Sequence, residues 1–232
     1  MRKKNFLLTC LTVFLLMMTC FRTEAAPVEQ REIGDTSIAV EEEVKEEPIE
    51  NEPVENEPID RELFDRYLTG EGITLIGDSI ANGNRSIIHE QLPNLYIDAK
   101  GSRDVCGGFE AALRLQEEGM LSDVVIVELG TNGPLLNHEP YASGMQNLLA
   151  LLGDERQIFW VTVYCSYSQW MAMNNQYIWE LAETHPNITV IDWYELAVNN
   201  PYWFPDGVHP NVEGAKNFAQ MLREALEAKY GE

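Results

Sequence analysis

Ile73-Thr74-Leu75-Ile76-Gly77-Asp78-Ser79 is the stretch on which the fold turns. Its apolar and β-branched residues make a run too short for a helix, and one suited to a strand buried on both faces of a parallel sheet. The run ends in Gly-Asp-Ser, so the strand leads into a tight turn and sets a serine hydroxyl at the sheet's carboxyl edge, where open α/β sheets receive ligands. Working outward, strands are predicted over residues 95–98, 124–129, 158–164 and 188–192. Helical patterns fall between them at 80–90, 107–118, 141–152 and 170–184, and a long amphipathic helix at 211–230 closes the chain. Strands alternating with helices predict an α/β protein, a three-layer α/β/α sandwich around a five-stranded parallel sheet.

The chain has 232 residues and a formal net charge of −22. Half of that excess lies between Val28 and Asp60, where 13 acids face only Arg31 and Lys45. With no basic stripe in the body, nucleic acid is excluded as a partner, because phosphate binding needs a basic groove. Residues 1–26 carry Arg2, Lys3 and Lys4, then an apolar run of about 16 residues from Phe6 to Phe21, then small residues at Ala25 and Ala26. That order predicts a signal peptide or, if uncleaved, an N-terminal membrane anchor, and it places the body outside the cytoplasm. Residues 27–62 include the cadence Glu-Glu-Pro-Ile-Glu, Asn-Glu-Pro-Val-Glu, Asn-Glu-Pro-Ile-Asp, which predicts an extended acidic linker without a core. The catalytic domain is expected over 63–232. Only Cys106 and Cys165 fall within it, too few for a disulfide framework and unlike a zinc site in spacing.

Chemistry-bearing residues gather at predicted strand ends. Ser79 follows the first strand, as a nucleophile or as a plain helix cap, with Asp78 beside it as a candidate substrate contact. The third strand ends in Gly130-Thr131-Asn132-Gly133, where an asparagine side chain can donate to an oxyanion. The second runs into Gly101 and Arg103, the one placed to offer a backbone N–H and the other a guanidinium for a polar substrate group. Asp206-Gly207-Val208-His209 precedes the last helix, and a separation of three residues lets one loop hold a carboxylate behind an imidazole. Among the many aromatic residues, Trp170 and Trp203 are the candidates for cleft walls.

These pieces resemble the SGNH, or GDSL-like, hydrolase superfamily, a fold with flavodoxin-like layering, over residues 73–230. Gly77-Asp78-Ser79, Gly101, Gly130-Thr131-Asn132 and Asp206-Gly207-Val208-His209 match its four blocks in order. Ile97-Asp98-Ala99-Lys100, Ser102-Arg103, Leu129-Gly130-Thr131-Asn132-Gly133-Pro134 and Val190-Ile191-Asp192-Trp193-Tyr194 are further similar to the extracytoplasmic catalytic domain of peptidoglycan O-acetyltransferases of Gram-positive bacteria.

The resemblance implies a cell-surface serine enzyme acting on O-acetylated carbohydrate such as peptidoglycan, with no metal or organic cofactor. Ser79, Asp206 and His209 would be catalytic, and the Ser79 and Gly101 N–H groups with the Asn132 side chain would form the oxyanion hole. Those transferases carry a multi-pass membrane domain that these residues do not include, so the acetyl donor is expected to be a separate membrane protein or a soluble ester. They also tend to carry a larger residue where Gly101 stands, which leaves transfer and hydrolysis both open. A secreted lipase or carboxylesterase and a non-catalytic wall-binding module are the rival readings.

Overall fold

The computed structural model describes residues 61–231. The expected leader and nearly all of the acidic linker lie outside the described residues. The part of the linker expectation that can be compared, residues 61–62, is already helical, in α1 (Arg61–Leu68). Leu63, Phe64, Tyr67 and Leu68 give α1 an apolar stripe at helical spacing, a signal too brief to stand out beside the acidic linker. Tyr67 ties it to the body, with its ring 4.5 Å from that of Tyr230.

The deciding stretch forms β1 (Ile73–Gly77), buried throughout. It is followed by α2 (Ser79–Gly83) and α3 (Arg85–Gln91), where one helix was expected. Asn84 divides them, because its side chain donates to the carbonyl of Ile80 at 2.8 Å and competes with continued helix bonding. The remaining elements are β2 (Tyr96–Ala99), α4 (Val105–Glu117), β3 (Val124–Glu128), α5 (Tyr141–Leu152), β4 (Gln157–Val161), α6 (Met171–Thr184), β5 (Ile188–Ile191), α7 (Trp193–Val198) and α8 (Val212–Tyr230). The fourth strand is shorter than its apolar run suggests. Residues 162–165 leave the ladder at the carboxyl edge and pass toward the site.

All five strands are parallel, in the order β2-β1-β3-β4-β5. The chain leaves β1 for β2 on one side and returns across it to β3 on the other, so strand order reverses at β1 and opens a crevice there. Strand alternation divides the core into two layers. Leu75, Ile126 and Phe159 pack toward Phe218, Leu222 and Leu226 of α8, whereas Ile76, Val127 and Trp160 pack toward Leu115, Leu148 and Ile178 of α4, α5 and α6. Both sheet faces are therefore closed, and function is left to the loops at the strand ends.

Two asparagines at the start of α6 tie those loops down. Asn174 donates to the carbonyls of Gly130 and Gly133 and accepts from the N–H of Leu135, at 2.8, 2.9 and 2.9 Å. Asn175 bonds both backbone groups of Val163. The loops after β3 and β4 thus take their shape from side chains of one helix.

Candidate active site

Register places Gly77 level with Ala99 of β2 and Glu128 of β3 at the carboxyl edge. Gly77 is required by space, because a Cβ there would lie 2.7 Å from that of Ala81 and 2.8 Å from a Glu128 carboxylate oxygen. The chain then turns sharply. Asp78 caps α2 by accepting from the N–H of Ile80 at 2.9 Å, and Ser79 becomes the first helical residue. The cap is Asp78, which leaves the serine hydroxyl free of that task.

The Ser79 Oγ lies 3.0 Å from Nε2 of His209. Nδ1 of His209 lies 2.7 Å from Oδ2 of Asp206. The second oxygen of Asp206 accepts from the N–H groups of Val208 and His209 at 3.0 and 2.8 Å, so the carboxylate and the ring are fixed within one turn. The imidazole hydrogen bond, followed by those two N–H groups, holds the Asp206 carboxyl far below the usual carboxylate range. Gly207, at φ +84°, makes the turn possible; a Cβ there would meet Ser166 Oγ at 2.3 Å. The Ser166 N–H donates to the Gly207 carbonyl at 2.9 Å and joins the loop after β4 to the loop before α8. Residues 130 positions apart thereby meet across the switch-point crevice.

A cavity of about 230 Å³ opens on Ser79 and His209, walled by Ser102, Thr131, Asn132 and Tyr167. A larger one of about 560 Å³ lies across the Gly101–Ser102 loop, toward Lys100 and Arg114. The smaller cavity holds Ser79. Gly101 and Ser102 border both.

Several sequence-predicted residues sit elsewhere than expected. Asp78 is fully buried and cannot touch a substrate. Arg103 is held as a brace: its guanidinium pairs with Asp98 at 2.7 Å and donates to the carbonyls of Asp98 and Gly77 at 2.6 and 3.1 Å. It locks the ends of β1 and β2 and has little freedom to reach a ligand. Trp203 is 4 % exposed and packs parallel to Trp193 in the core, so it is no cleft wall. Trp170 stands edge-on to His138 at 6.2 Å, outside the Ser79 cavity. The aromatic residue at the cavity rim is Tyr167, 69 % exposed. Its composition-level signal was the same as that of its neighbours, and only burial separates them.

Gly101 borders the cavity, but a Cβ added to it meets no atom within 4 Å and its φ is not positive. The left-handed residue of that loop is Ser102, at φ +58°. Gly101→Ala is accordingly expected to lower kcat/KM by less than about threefold, since the backbone N–H stays in place and no strain arises. Ester-hydrolysis kinetics check this; a loss of tenfold or more would mean that the site needs glycine there.

Asn132 is already engaged: Nδ2 donates to Asp78 Oδ2 at 2.9 Å and to the Arg103 carbonyl at 3.1 Å. An oxyanion arriving at this amide would compete with the longer of these bonds, to a neutral carbonyl.

Glu128, at the end of β3, went unremarked in the sequence. It is 4 % exposed, and its Oε2 accepts from the N–H groups of Asp78 and Ala81 at 3.0 and 3.2 Å. Its carboxyl is also hydrogen-bonded to that of Asp78. Two neighbouring carboxylates repel when both are ionised, most strongly where water is excluded. Burial, and then the Asp78 charge, push the Glu128 carboxyl well above its usual range. The signal that could have revealed it is an acid inside an apolar parallel strand. Among the described residues, the remaining cysteines are free thiols, and no cluster of side chains suits a metal ion.

A serine placed by a Gly-Asp turn at the switch point, with an imidazole delivered from just before the last helix, is the arrangement that the resemblance to SGNH, or GDSL-like, hydrolases leads one to expect, and the five-stranded parallel sheet matches that of its solved structural neighbours. In sequence the chain is similar to peptidoglycan O-acetyltransferases. It is 30% identical over 161 residues to the putative peptidoglycan O-acetyltransferase YrhL of Bacillus subtilis, an alignment covering 69% of this chain and 24% of that protein. It is 30% identical over 152 residues to the peptidoglycan O-acetyltransferase OatA of Listeria monocytogenes, covering 65% and 23%. The chain thus spans about a quarter of the length of these curated relatives.

Among solved structures, the C-terminal catalytic domain of Streptococcus pneumoniae peptidoglycan O-acetyltransferase A, with a methylsulfonyl adduct, superposes with a TM-score of 0.60 at 28% identity, covering 68% of this chain and 93% of that one. A carbohydrate esterase family 3 protein from Talaromyces cellulolyticus shares the fold, with a TM-score of 0.55 at 16% identity, covering 68% and 97%. No family model matches the chain.

Proposed function

We propose that the protein is a serine acyl-ester enzyme that moves O-acetyl groups on cell-surface carbohydrate through an acyl-enzyme on Ser79. The observation that carries this reading is the unbroken line from Ser79 Oγ through His209 to Asp206, bordering an open cavity. Ser79 attacks the ester carbonyl while His209 takes its proton, and Asp206 keeps the ring in the tautomer that can accept it. The developing oxyanion is received by the Ser79 N–H, by N–H groups of the Gly101–Ser102 loop and by the Asn132 side chain, each donor contributing about 3 to 4 kcal/mol in comparable sites. The proton on His209 then leaves with the alcohol. A sugar hydroxyl or a water enters next, gives its proton to His209 and takes the acetyl group from Ser79.

Peptidoglycan is the proposed carbohydrate, on the strength of the relatives' names, and the cell surface the proposed location. The acetyl donor is proposed to be a separate membrane protein or a soluble ester. Hydrolysis is the second reading, favoured by one observation: the side chains of His209 and Asp206 are about half exposed, so water has access to the base.

Incubation with p-nitrophenyl acetate and a chito-oligosaccharide, followed by mass spectrometry, separates the two. Acetylated sugar supports transfer, acetate alone supports hydrolysis, and absence of any turnover removes the proposal. Tyr167 is the candidate platform for a pyranose ring, an aromatic face of the kind worth about 1 kcal/mol beyond its area burial. Tyr167→Ala is expected to raise KM for the oligosaccharide by about fivefold, and to affect the small ester less. An equal effect on both substrates would remove Tyr167 from sugar recognition.

A further inference from the structure

Beneath the nucleophile lie two buried acids that the proposed reaction does not use, Asp78 and Glu128. Three donors meet the Asp78 carboxyl. Its Oδ1 accepts from Ile80 and its Oδ2 from Asn132, and the Thr131 side chain adds another bond. Burial pushes this carboxyl up, and the donors oppose that rise by favouring its ionised form. Glu128 differs: Oε2 takes two backbone N–H groups, and its remaining polar partner is Asp78 itself. A hydrogen bond between two carboxyl groups needs a proton, and the acid with fewer donors is the one to carry it.

We propose that Glu128 is kept as a neutral carboxylic acid that donates to Asp78, and that it acts as the positioning residue for the nucleophile turn. One side chain then holds three parts of the site. Through Oε2 it fixes the N–H groups of Asp78 and Ala81 on either side of Ser79. Through its proton it fixes the Asp78 carboxylate, which orients Asn132. The charged groups facing the pair are few: Arg103, on the Gly77 carbonyl from the loop before α4, and His209, whose charge reaches Asp78 from the loop before α8. Among the described residues no ion pair reaches either acid.

Burial and the Asp78 charge raise the Glu128 carboxyl in the folded state, so the native protein binds a proton that the unfolded chain releases near pH ~4.3. Stability is therefore lost progressively as pH rises from that value toward the native one. Glu128→Gln supplies the same donor and acceptor without a proton to lose, and should flatten that decline between pH 5 and 8.

The test uses the whole chain and three readouts. In the infrared, wild-type protein at neutral pH is expected to show the carbonyl stretch of a buried neutral acid, and Glu128→Gln to lack it. Absence of the band in wild type overturns the proposal, as does its persistence in Glu128→Gln, which would put the proton on Asp78. Thermal melts across pH 5 to 8 should fall less steeply for Glu128→Gln; equal slopes overturn the proposal. In kinetics, kcat should fall by less than about threefold in Glu128→Gln and by about 30-fold or more in Glu128→Ala, with little change in KM, because small misplacements of a nucleophile are costly. Equal impairment of the two variants, or none in Glu128→Ala, overturns it. Only the kinetic arm rests on Ser79 being the nucleophile: if that reading fails, wild type does not turn over or Ser79→Ala keeps its rate, while the infrared and melting arms still decide the proton.

Discussion

Replacing Ser79 by alanine is expected to lower kcat/KM toward acetyl esters by about 10⁴-fold or more without disturbing the fold. The hydroxyl makes one hydrogen bond, to His209, and the helix cap of this turn is Asp78, so its removal leaves no buried group unpaired. The backbone N–H of residue 79, the Gly101–Ser102 loop and Asn132 all stay in place. Activity that survives would be what donors and binding supply alone. Ester hydrolysis measured beside circular dichroism checks both halves of the expectation. A well-folded Ser79→Ala protein with more than a tenth of the wild-type rate would mean that the acyl group is carried elsewhere.

Asp206→Asn is expected to cost about 10² to 10⁴-fold in kcat. An asparagine can keep the bonds from Val208 and His209 through its carbonyl oxygen, so the loop should survive. It then presents an NH₂ group to Nδ1 of His209 and selects the tautomer with the proton on Nε2. That ring cannot take the Ser79 proton. The expected loss is smaller than for Ser79→Ala because Asp206 is about half exposed and water can partly replace it. Since the native carboxyl is held far below the usual carboxylate range, it stays ionised wherever His209 can act as a base, and the acid limb of the pH–rate profile should not report Asp206. The two groups act as a unit, so the double variant Ser79→Ala, Asp206→Asn should be no slower than Ser79→Ala. Additive losses would contradict the coupling.

The sheet was legible because its strands are short apolar runs bounded by turn residues, and the site because Gly-Asp-Ser, Gly-Thr-Asn and Asp-x-x-His each sit where a strand or loop must end. Position in the chain said where a side chain would be anchored, and less about which way it faces. Trp203 and Tyr167 are both aromatic residues in loops beyond the strands, yet one fills the core beside Trp193 and the other stands at the cavity rim. Arg103 looked available for a ligand because Asp98, its partner, is separated from it by a loop whose course follows from register between β1 and β2. The break at Asn84 depends on one side-chain bond to a backbone carbonyl, which helical periodicity does not register. Glu128, Asn174 and Asn175 share a cause. They are polar residues inside apolar patterns, and their meaning lies in backbone groups far away in sequence that only the folded chain brings to them.

The central claim is that acetyl passes through a covalent bond to one hydroxyl. Rapid acid quench of the protein during turnover of p-nitrophenyl acetate, followed by digestion and mass spectrometry, reads that bond directly. One acetyl group on the peptide containing Ser79, lost on adding a sugar acceptor or with time in water, is the expected result. Turnover with that peptide unmodified at every quench time, and the acetyl group found on another side chain, would contradict it.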